Sequence, residues 1–466
     1  MEKSRASHQK FSNKDAVMEN INAYPRYAGQ LDPAFAQQTD IPGWVDILRA
    51  LDWPVGRDLF FSSITPTLDG YLYACGYFAE TVSDPVEYFV ARLQGDGQRD
   101  TSFGNDGVIR GTFPINFKMI IPTRLVVQDD GKILMQALGY AGNPELPDPV
   151  LLVARFLASG AADVEFGEQG LMRKDLPPGK PGFLRSFVGD LQQLPDGRIL
   201  ASTTGVRMAA QGPMESAIVY RLTAQGELDG SFNGNGIKDF APPGASLRVS
   251  GFVAQPDGKV VLAGQVTHEG SDCASGMFVR LDEAGQLDET FGPLGSGYFE
   301  FSLDDYHLHI NSIALSSDGS LVGVGAASAV NADQGLIDEG FIIGITAEGL
   351  SDVGFNNGTL LLTPINERYS VDWISAEFQR DGKLLVAGRS MRLAATHNSY
   401  VYIARFNSDG TADIHFGESE TGRAETMVGG FNDIPLEMRQ QADGKILVGL
   451  NASSLRKGTL LRYLNE

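Results

Sequence analysis

The feature that most constrains the fold of this 466-residue chain is a repeat of about 62 residues that carries three separate markers. The first marker is Asp-x-x-Phe, and its phenylalanines are Phe35, Phe103, Phe166, Phe232, Phe291, Phe355 and Phe416. The second is an Asp-Gly pair between two apolar runs, with its glycine at Gly70, Gly131, Gly197, Gly258, Gly319, Gly382 and Gly444. The third is an apolar run that ends in an arginine before a turn, at Arg92, Arg155, Arg221, Arg280, Arg405 and Arg462, with Gly344 in the unit that departs. Three markers in one fixed order indicate seven similar units.

Each unit has the sequence pattern of four short strands. The Asp-Gly pair lies between β-branched and aromatic runs, which is a strong hairpin signal because these turn residues tolerate positive φ. A third run leads to the arginine marker, and a fourth follows the phenylalanine, as at 107–113 and 236–240. We name these strands a to d. Seven such units predict an all-β protein, a seven-bladed β-propeller of four-stranded antiparallel blades.

The phase of the repeat predicts how the ring closes. The last third strand leads to 462–464, directly before the end of the sequence, whereas residues 29–35 form the element that follows a third strand in the other units. We therefore predict that the last blade combines about 435–466 with a fourth strand from about 43–52. This N-terminal strand would complete the C-terminal blade and leave no open sheet edge.

The repeat can be compared with a known family. The pattern QPDGKVVLAG followed by FVRLDEAGQLDETFG resembles the bacterial delta-sixty repeat family and, more distantly, NHL-type propeller repeats, over about residues 26–466. This resemblance implies the propeller fold and says little about activity. Asn233, Asn356 and Ala36 stand where the other copies have Gly after the phenylalanine. Since Asn is the usual non-glycine residue in left-handed conformation, we predict positive φ at this position.

Composition and charge restrict the partners. The chain has 58 acidic against 37 basic residues, a net charge of -21, which disfavours a nucleic-acid partner and an anionic membrane surface. It has no signal-like apolar run near the N-terminus and no run long enough to span a bilayer, so we expect no membrane insertion. Residues 1–24 are interpreted as a polar, flexible leader and 25–466 as one propeller domain. We expect a soluble, acidic monomer that is cytoplasmic or exported by a signal-peptide-independent route.

The polar residues that recur in the repeat have two interpretations. The aspartates of the first marker are Asp32, Asp100, Asp163, Asp229, Asp288, Asp352 and Asp413. They could form a ring of charges facing a channel, but turn capping or an Asp–Arg contact inside each blade explains a sevenfold residue more simply. The marker phenylalanine is interpreted as a wedge between blades. We therefore look for function where the copies differ.

The copies differ most in the b–c loops and the joins between blades, which lie on one face in related propellers. The candidate ligand-binding residues on this variable face are Arg207, His268, His307, His309, Arg368, Arg392 and His397. His307 and His309, with Asp304 and Asp305 beside them, could ligate a divalent cation, but a complete site needs ligands from elsewhere. We assign no metal, no cofactor and no catalytic residue.

The function predicted from the sequence is a non-enzymatic binding or scaffolding propeller that presents its variable loop face to a protein, a glycan or a small ligand. One alternative is a hydrolase or lyase that uses a face histidine as general base. Another alternative is an exported effector or toxin component. Convergence of the face histidines in one pocket would favour the enzyme.

Overall fold

The structure is a computed structural model. It describes residues 27–37, 42–52, 58–79, 86–113, 117–141, 148–176, 189–209, 212–329, 338–365, 369–392, 398–418, 421–429, 433–452 and 457–466. The strands form seven four-stranded antiparallel sheets, each a blade of one propeller, as the repeat predicts. Among the residues described, no helix has the length and apolar character needed to cross a membrane.

The blades follow one another along the chain, and strand a of each is the innermost. Blade 1 consists of β2 (Asp58–Pro66), β3 (Leu72–Ala79), β4 (Glu87–Leu93) and β5 (Val108–Gly111). Blade 2 consists of β6 (Phe117–Val127), β7 (Ile133–Ala141), β8 (Asp148–Phe156) and β9 (Leu171–Asp175). Blade 3 consists of β10 (Gly189–Gln193), β11 (Ile199–Ala209), β12 (Gly212–Leu222) and β13 (Ile237–Phe240). Blades 4 and 5 consist of β14 (Ala245–Ala254), β15 (Val260–His268), β16 (Ser275–Leu281) and β17 (Tyr298–Phe301); β18 (Tyr306–Leu315), β19 (Leu321–Ala329), β20 (Asp338–Ile345) and β21 (Leu361–Leu362). Blades 6 and 7 consist of β22 (Tyr369–Phe378), β23 (Leu384–Arg392), β24 (Ser399–Phe406) and β25 (Arg423–Thr426); β26 (Asp433–Gln440), β27 (Ile446–Ala452), β28 (Lys457–Tyr463) and β1 (Trp44–Asp46).

Blade 7 is closed by the N-terminal strand, which confirms the predicted closure. β1 pairs antiparallel with β28, and Val45 stands opposite Leu460. The strand is shorter than the 43–52 segment expected to supply it, because helix α1 (Ile47–Ala50) follows at once. Asp46 explains the switch: its Oδ1 accepts a hydrogen bond from the backbone N–H of Leu48 at 3.0 Å and caps the helix.

The marker phenylalanines are wedges between blades, as expected. All seven are buried, and the ring of Phe166 in blade 2 packs against Gly226 in the turn between strands c and d of blade 3. A Cβ at Gly226 would lie 2.7 Å from that ring, and φ there is +85°. Glycine at this turn therefore serves both the backbone conformation and the close approach of the neighbouring blade.

The recurring arginine and aspartate pair inside the blade, which confirms the structural interpretation. In blade 4, Arg280 Nε lies 2.8 Å from Asp288 Oδ2, and the guanidinium carbon lies 4.7 Å from the centre of the Phe291 ring. Arg280 Nη1 also donates to the carbonyl of Ala347 in blade 5 at 2.6 Å. The same Arg–Asp pair recurs at Arg92–Asp100, Arg155–Asp163, Arg221–Asp229, Arg405–Asp413 and Arg462–Asp32.

The position after the marker phenylalanine has positive φ in every copy, which confirms the prediction from the two asparagines. The residues and angles are Ala36 (56°), Gly104 (55°), Gly167 (52°), Asn233 (48°), Gly292 (81°), Asn356 (44°) and Gly417 (82°).

Candidate functional site

The seven residues predicted for the variable face do not all come together. His268 ends β15, His307 and His309 lie in β18, and Arg392 ends β23. Arg207 lies in β11, where its register partner is Met214. Arg368 and His397 fall outside the described residues.

His268 pairs with a carboxylate of its own blade. Its Nε2 lies 2.9 and 3.0 Å from the two carboxylate oxygens of Glu300, on the outer strand of the same blade. The side chain is 45% exposed. This pair belongs to the rim of blade 4 and not to the ring centre.

His307 and His309 form the part of the prediction that does converge. They are two residues apart in β18, so they point to the same face, and their ring centres are 6.3 Å apart. His307 Nδ1 accepts a hydrogen bond from the backbone N–H of Ala274 at 3.2 Å, and His309 Nδ1 contacts Gln265 Oε1. Burial and the neighbouring His307 lower the pKa of His309, which favours its neutral form.

His309 also belongs to a set of equivalent positions in three consecutive blades. The inner strands of blades 4, 5 and 6 each carry a β-bulge, and the residue just before the bulged segment is Val249, Ile310 or Trp373. One position earlier stand Arg248, His309 and Asp372. Each of these residues is the fourth of its inner strand, and because strand a starts on the loop face, all three lie in the half of the strand toward that face.

Arg248 is fixed by a two-point contact with blade 3. Its Nη2 lies 2.6 Å from Glu215 Oε1, and its Nε lies 3.1 Å from Glu215 Oε2. Both side chains are partly buried. A bidentate pair of this kind fixes the plane of the guanidinium group.

Asp372 is the most perturbed carboxylate in this region. Burial raises its pKa to about 6, although Arg389 opposes the shift from 3.5 Å. Its Oδ1 accepts a hydrogen bond from Asn311 Nδ2 at 2.7 Å. Carboxyl groups with a pKa raised in this way are common at functional sites.

We call Arg248, His307, His309, Asp338 and Asp372 the mouth cluster. Asp338 begins β20 and accepts a hydrogen bond from Ser328 Oγ at 2.5 Å, while its backbone N–H donates to Ser370 Oγ at 3.0 Å. Its charge influences the pKa values of both His309 and Asp372. Within the described ranges, no group of three or more His, Cys, Asp or Glu side chains has an arrangement that could hold a metal ion.

A second charged group, deeper in the channel, was missed by the sequence reasoning. Arg124 of blade 2 lies 3.0 Å from Asp190 of blade 3 and also contacts Glu437 of blade 7. Glu437 in turn accepts hydrogen bonds from Ser63 Oγ at 2.7 Å and from the backbone N–H of Ile64 at 2.8 Å, both in blade 1. The signal in the sequence was a single charge inside an apolar inner strand, as in IIPTRLVV.

The fold is a seven-bladed β-propeller, and blades 4 to 6 carry the polar side chains of the mouth cluster in the loop-face half of their inner strands. Three segments, 68–103, 255–291 and 379–416, match the family described as "Domain of unknown function (DUF5122) beta-propeller". Each segment runs from an Asp-Gly hairpin to the marker phenylalanine of one blade. The three matched segments lie in blades 1, 4 and 6.

Solved structures similar to this chain share little sequence with it. They include an alpha-L-arabinanase of Penicillium chrysogenum, with 10% identity, a TM-score of 0.39 and coverage of 78% of this chain and 95% of that one. A PL25 ulvan lyase has 12% identity, a TM-score of 0.46 and coverage of 88% and 94%. Sqt1 of Chaetomium thermophilum has 14% identity, a TM-score of 0.36 and coverage of 87% and 95%. These likenesses assign no activity to this chain, and no curated protein matched it.

Proposed function

We propose that this protein is a non-enzymatic binding propeller that holds a polar ligand at the mouth cluster on its loop face. The observation that carries the proposal is that three consecutive blades place Arg248, His309 and Asp372 at one strand position beside the channel. The bulged inner strands of blades 1, 2 and 7 have apolar residues at this position, whereas blades 4, 5 and 6 supply a cation, an imidazole and a carboxyl group in succession.

The pairing of these groups supports binding over covalent chemistry. Arg248 is held by Glu215, His309 by Gln265 and Asp372 by Asn311, so donors and acceptors are oriented before a ligand arrives. Preorganised polar groups reduce the entropy lost on binding. The mixture of donors and acceptors of both charges suits a neutral, hydroxyl-rich ligand such as a glycan better than a strongly charged one.

The type of repeat is also part of the proposal. We propose that the blades are of the delta-sixty type, which the QPDGKVVLAG pattern resembles. The DUF5122 match in blades 1, 4 and 6 supports a common repeat of this length.

A thermal-shift screen of mono- and oligosaccharides, polyols and small polar metabolites tests the proposal, because a ligand that binds only the native state raises the melting temperature. We expect a stabilising ligand whose effect is lost in His309→Asn and Arg248→Gln. His415→Ala is the matched control, since His415 is exposed on the motif of blade 6, away from the cluster. A screen with no stabilising compound, or a ligand whose effect survives both cluster variants, contradicts the proposal.

The alternative of a hydrolase or lyase is favoured by one observation, the pKa of about 6 for Asp372. A carboxyl group at that pKa can donate and accept a proton near neutral pH. If a ligand from the screen is converted to product, and Asp372→Asn abolishes turnover while the ligand still binds, the protein is an enzyme.

A further inference from the structure

Blade 5 lacks the Arg–Asp ion pair that the other six blades share. Gly344 stands at the position of the arginine, and a Cβ there would lie 2.8 Å from Phe355 Cβ, so the phenylalanine occupies the space. Ser320 replaces the lysine or arginine that follows the Asp-Gly pair in blades 2, 3, 4, 6 and 7. The marker aspartate of blade 5, Asp352, is therefore left without either of its usual cations.

The carboxylate of Asp352 is still fixed in place. Its Oδ1 accepts a hydrogen bond from the backbone N–H of Gly354 at 2.9 Å, and the side chain is half-buried. In the described part of the chain, no Lys, Arg or His lies within ion-pair distance of it. By contrast, Asp288 in blade 4 has both Arg280 and Lys259, at 2.8 and 3.1 Å.

Exposed apolar side chains precede and follow Asp352 in the chain, and another stands on the adjoining turn of blade 4. Val353 is 78% exposed, Leu350 is 47% exposed and Leu294 is fully exposed. The turns that carry them are joined, because the backbone N–H of Gly292 donates to the carbonyl of Glu348 at 2.8 Å. We call Leu294, Leu350, Asp352 and Val353 the blade 4–5 rim, and it lies on the face opposite the loop face.

The charged residues that the turns of the rim themselves carry are all of one sign. Within the turns 289–295, 316–320 and 346–358, the charged residues are Glu289, Asp318, Glu348 and Asp352, and there is no basic residue. The first three are exposed. The surface is therefore apolar at its centre and acidic around it, which is complementary to a cation carried between apolar groups.

A groove continues the rim toward blade 6. It has a volume of about 620 Å³, begins at Gly354 next to Val353, and has Leu361 and Phe406 among its lining residues. A partner side chain that leaves the rim can enter this groove, which is in the size range of small-ligand sites.

We propose that the blade 4–5 rim binds a partner protein segment that places an arginine or lysine against Asp352, with apolar side chains on Val353 and Leu350 and in the groove. The partner supplies the cation that the other blades carry in their own sequence. This surface is separate from the mouth cluster, so the inference does not depend on the proposed function.

The probe is the peptide Ac-Leu-Arg-Leu-amide, titrated into the full chain and followed by NMR chemical shifts. The matched peptide Ac-Leu-citrulline-Leu-amide keeps the shape and removes the charge. We expect the arginine peptide to bind about tenfold more tightly than the citrulline peptide, the ratio expected for a charge-assisted hydrogen bond. Equal binding of the two peptides, or no binding of either at millimolar concentration, overturns the proposal.

Variants of the protein locate the site. Asp352→Asn keeps the hydrogen bond from the Gly354 N–H and should reduce the ratio of the two peptide affinities to about one. Val353→Ser should weaken the binding of both peptides. Val164→Ser is the matched control, because Val164 occupies the same motif position in blade 2, is 57% exposed, and lies beside an aspartate already paired with Arg155. If Val164→Ser weakens peptide binding as much as Val353→Ser does, the peptide does not bind at the rim. If the free protein dimerises with concentration and Val353→Ser removes the dimer, the occupant is a second copy of this chain and not a partner segment.

Discussion

At the scale of single residues, five of the marker aspartates have a lowered pKa because of what surrounds them. Burial alone would raise the pKa of Asp229, but hydrogen bonds from Ser231 and the charge of Arg221 outweigh it and lower the pKa to about 2. The pKa values of Asp100, Asp163, Asp288 and Asp413 are lowered in the same way. The ionised form of each is therefore linked to the folded state.

This linkage predicts steep acid unfolding. A carboxyl group whose pKa is lower in the folded state stabilises the fold above its unfolded pKa and loses that contribution as the pH falls through the folded pKa. We expect the melting temperature to fall steeply between about pH 4 and pH 2. Melting curves across this pH range test the prediction. The comparison is Asp229→Asn, whose melting temperature should depend less steeply on pH. A melting temperature that stays constant from pH 4 to pH 2 is the contrary result.

Asp372 has the opposite linkage, because its pKa is raised to about 6 in the folded protein. Its ionised form is less stable in the fold than in the unfolded chain, so it costs stability above pH 6, and the cost disappears as the pH falls to the unfolded pKa of about 3.9. Asp372→Asn should therefore raise the melting temperature at pH 7.5 and lose this advantage at pH 4. A variant that is less stable than the wild type at both pH values shows that the charge is needed by the fold.

At the scale of the element, the Arg–Asp–Phe unit joins a blade to its neighbour. Arg280 binds Asp288 in its own blade, covers the Phe291 ring and reaches the carbonyl of Ala347 in the next blade. The Arg280 side chain thus contacts the motif turn of its own blade, the Phe291 wedge and a turn of the next blade. Its guanidinium is almost fully buried, with 6% of the side chain exposed.

Removing this arginine should be costly. Arg280→Ala leaves the buried Asp288 with Lys259 as its remaining cation. The loss of one partner from a buried ion pair costs about 3 kcal/mol. The control is Arg173→Ala, since Arg173 pairs with Asp175 at the surface and is 46% exposed. Such a surface pair contributes about 0.5 kcal/mol. Chemical denaturation of both variants measures the two losses of unfolding free energy. Equal losses would show that the Arg–Asp–Phe unit does not hold neighbouring blades together.

The markers allowed most of the elements to be predicted, because turns and wedges depend on residue types that recur. The Asp-Gly hairpins, the Arg–Asp pairs and the positive φ at Asn233 and Asn356 all followed from local chemistry. Helix α1 was missed because the capping by Asp46 outweighs strand pairing over 47–50. Arg124 and Glu437 were missed because their contact joins blades 2 and 7, far apart in sequence and close only across the channel.

Only part of the candidate site could be predicted from the sequence, because its residues come from different blades. His307 and His309 could be identified because both lie in one strand. Arg248 and Asp372 could not, because they join the site only by occupying the same position as His309 in the inner strands of the neighbouring blades. That equivalence depends on the position of each β-bulge. The sequence markers do not fix those bulges, since they lie inside apolar runs.

At the scale of the whole molecule, the ring is closed by contacts between the two ends of the chain. Arg462 Nη2 lies 2.8 Å from Asp32 Oδ2, and Lys457 Nζ lies 2.7 Å from Asp46 Oδ2. Phe35 lies under the Arg462 guanidinium, 4.4 Å from its carbon to the ring centre. The last blade and its wedge are therefore built from both ends of the sequence.

Deletion of residues 1–52 tests this closure, on which the positions of all seven inner strands depend. The deletion removes β1, Asp32 and Phe35 and leaves β28 as an open edge, so the melting temperature should fall. Hydrogen exchange of the variant at low temperature is the decisive measurement, with β15 and β16 of blade 4 as the internal reference. We predict lost protection in β26 to β28, about 400 residues from the deletion, and retained protection in blade 4. Protection of β26 to β28 equal to that in the full chain would contradict the closed ring.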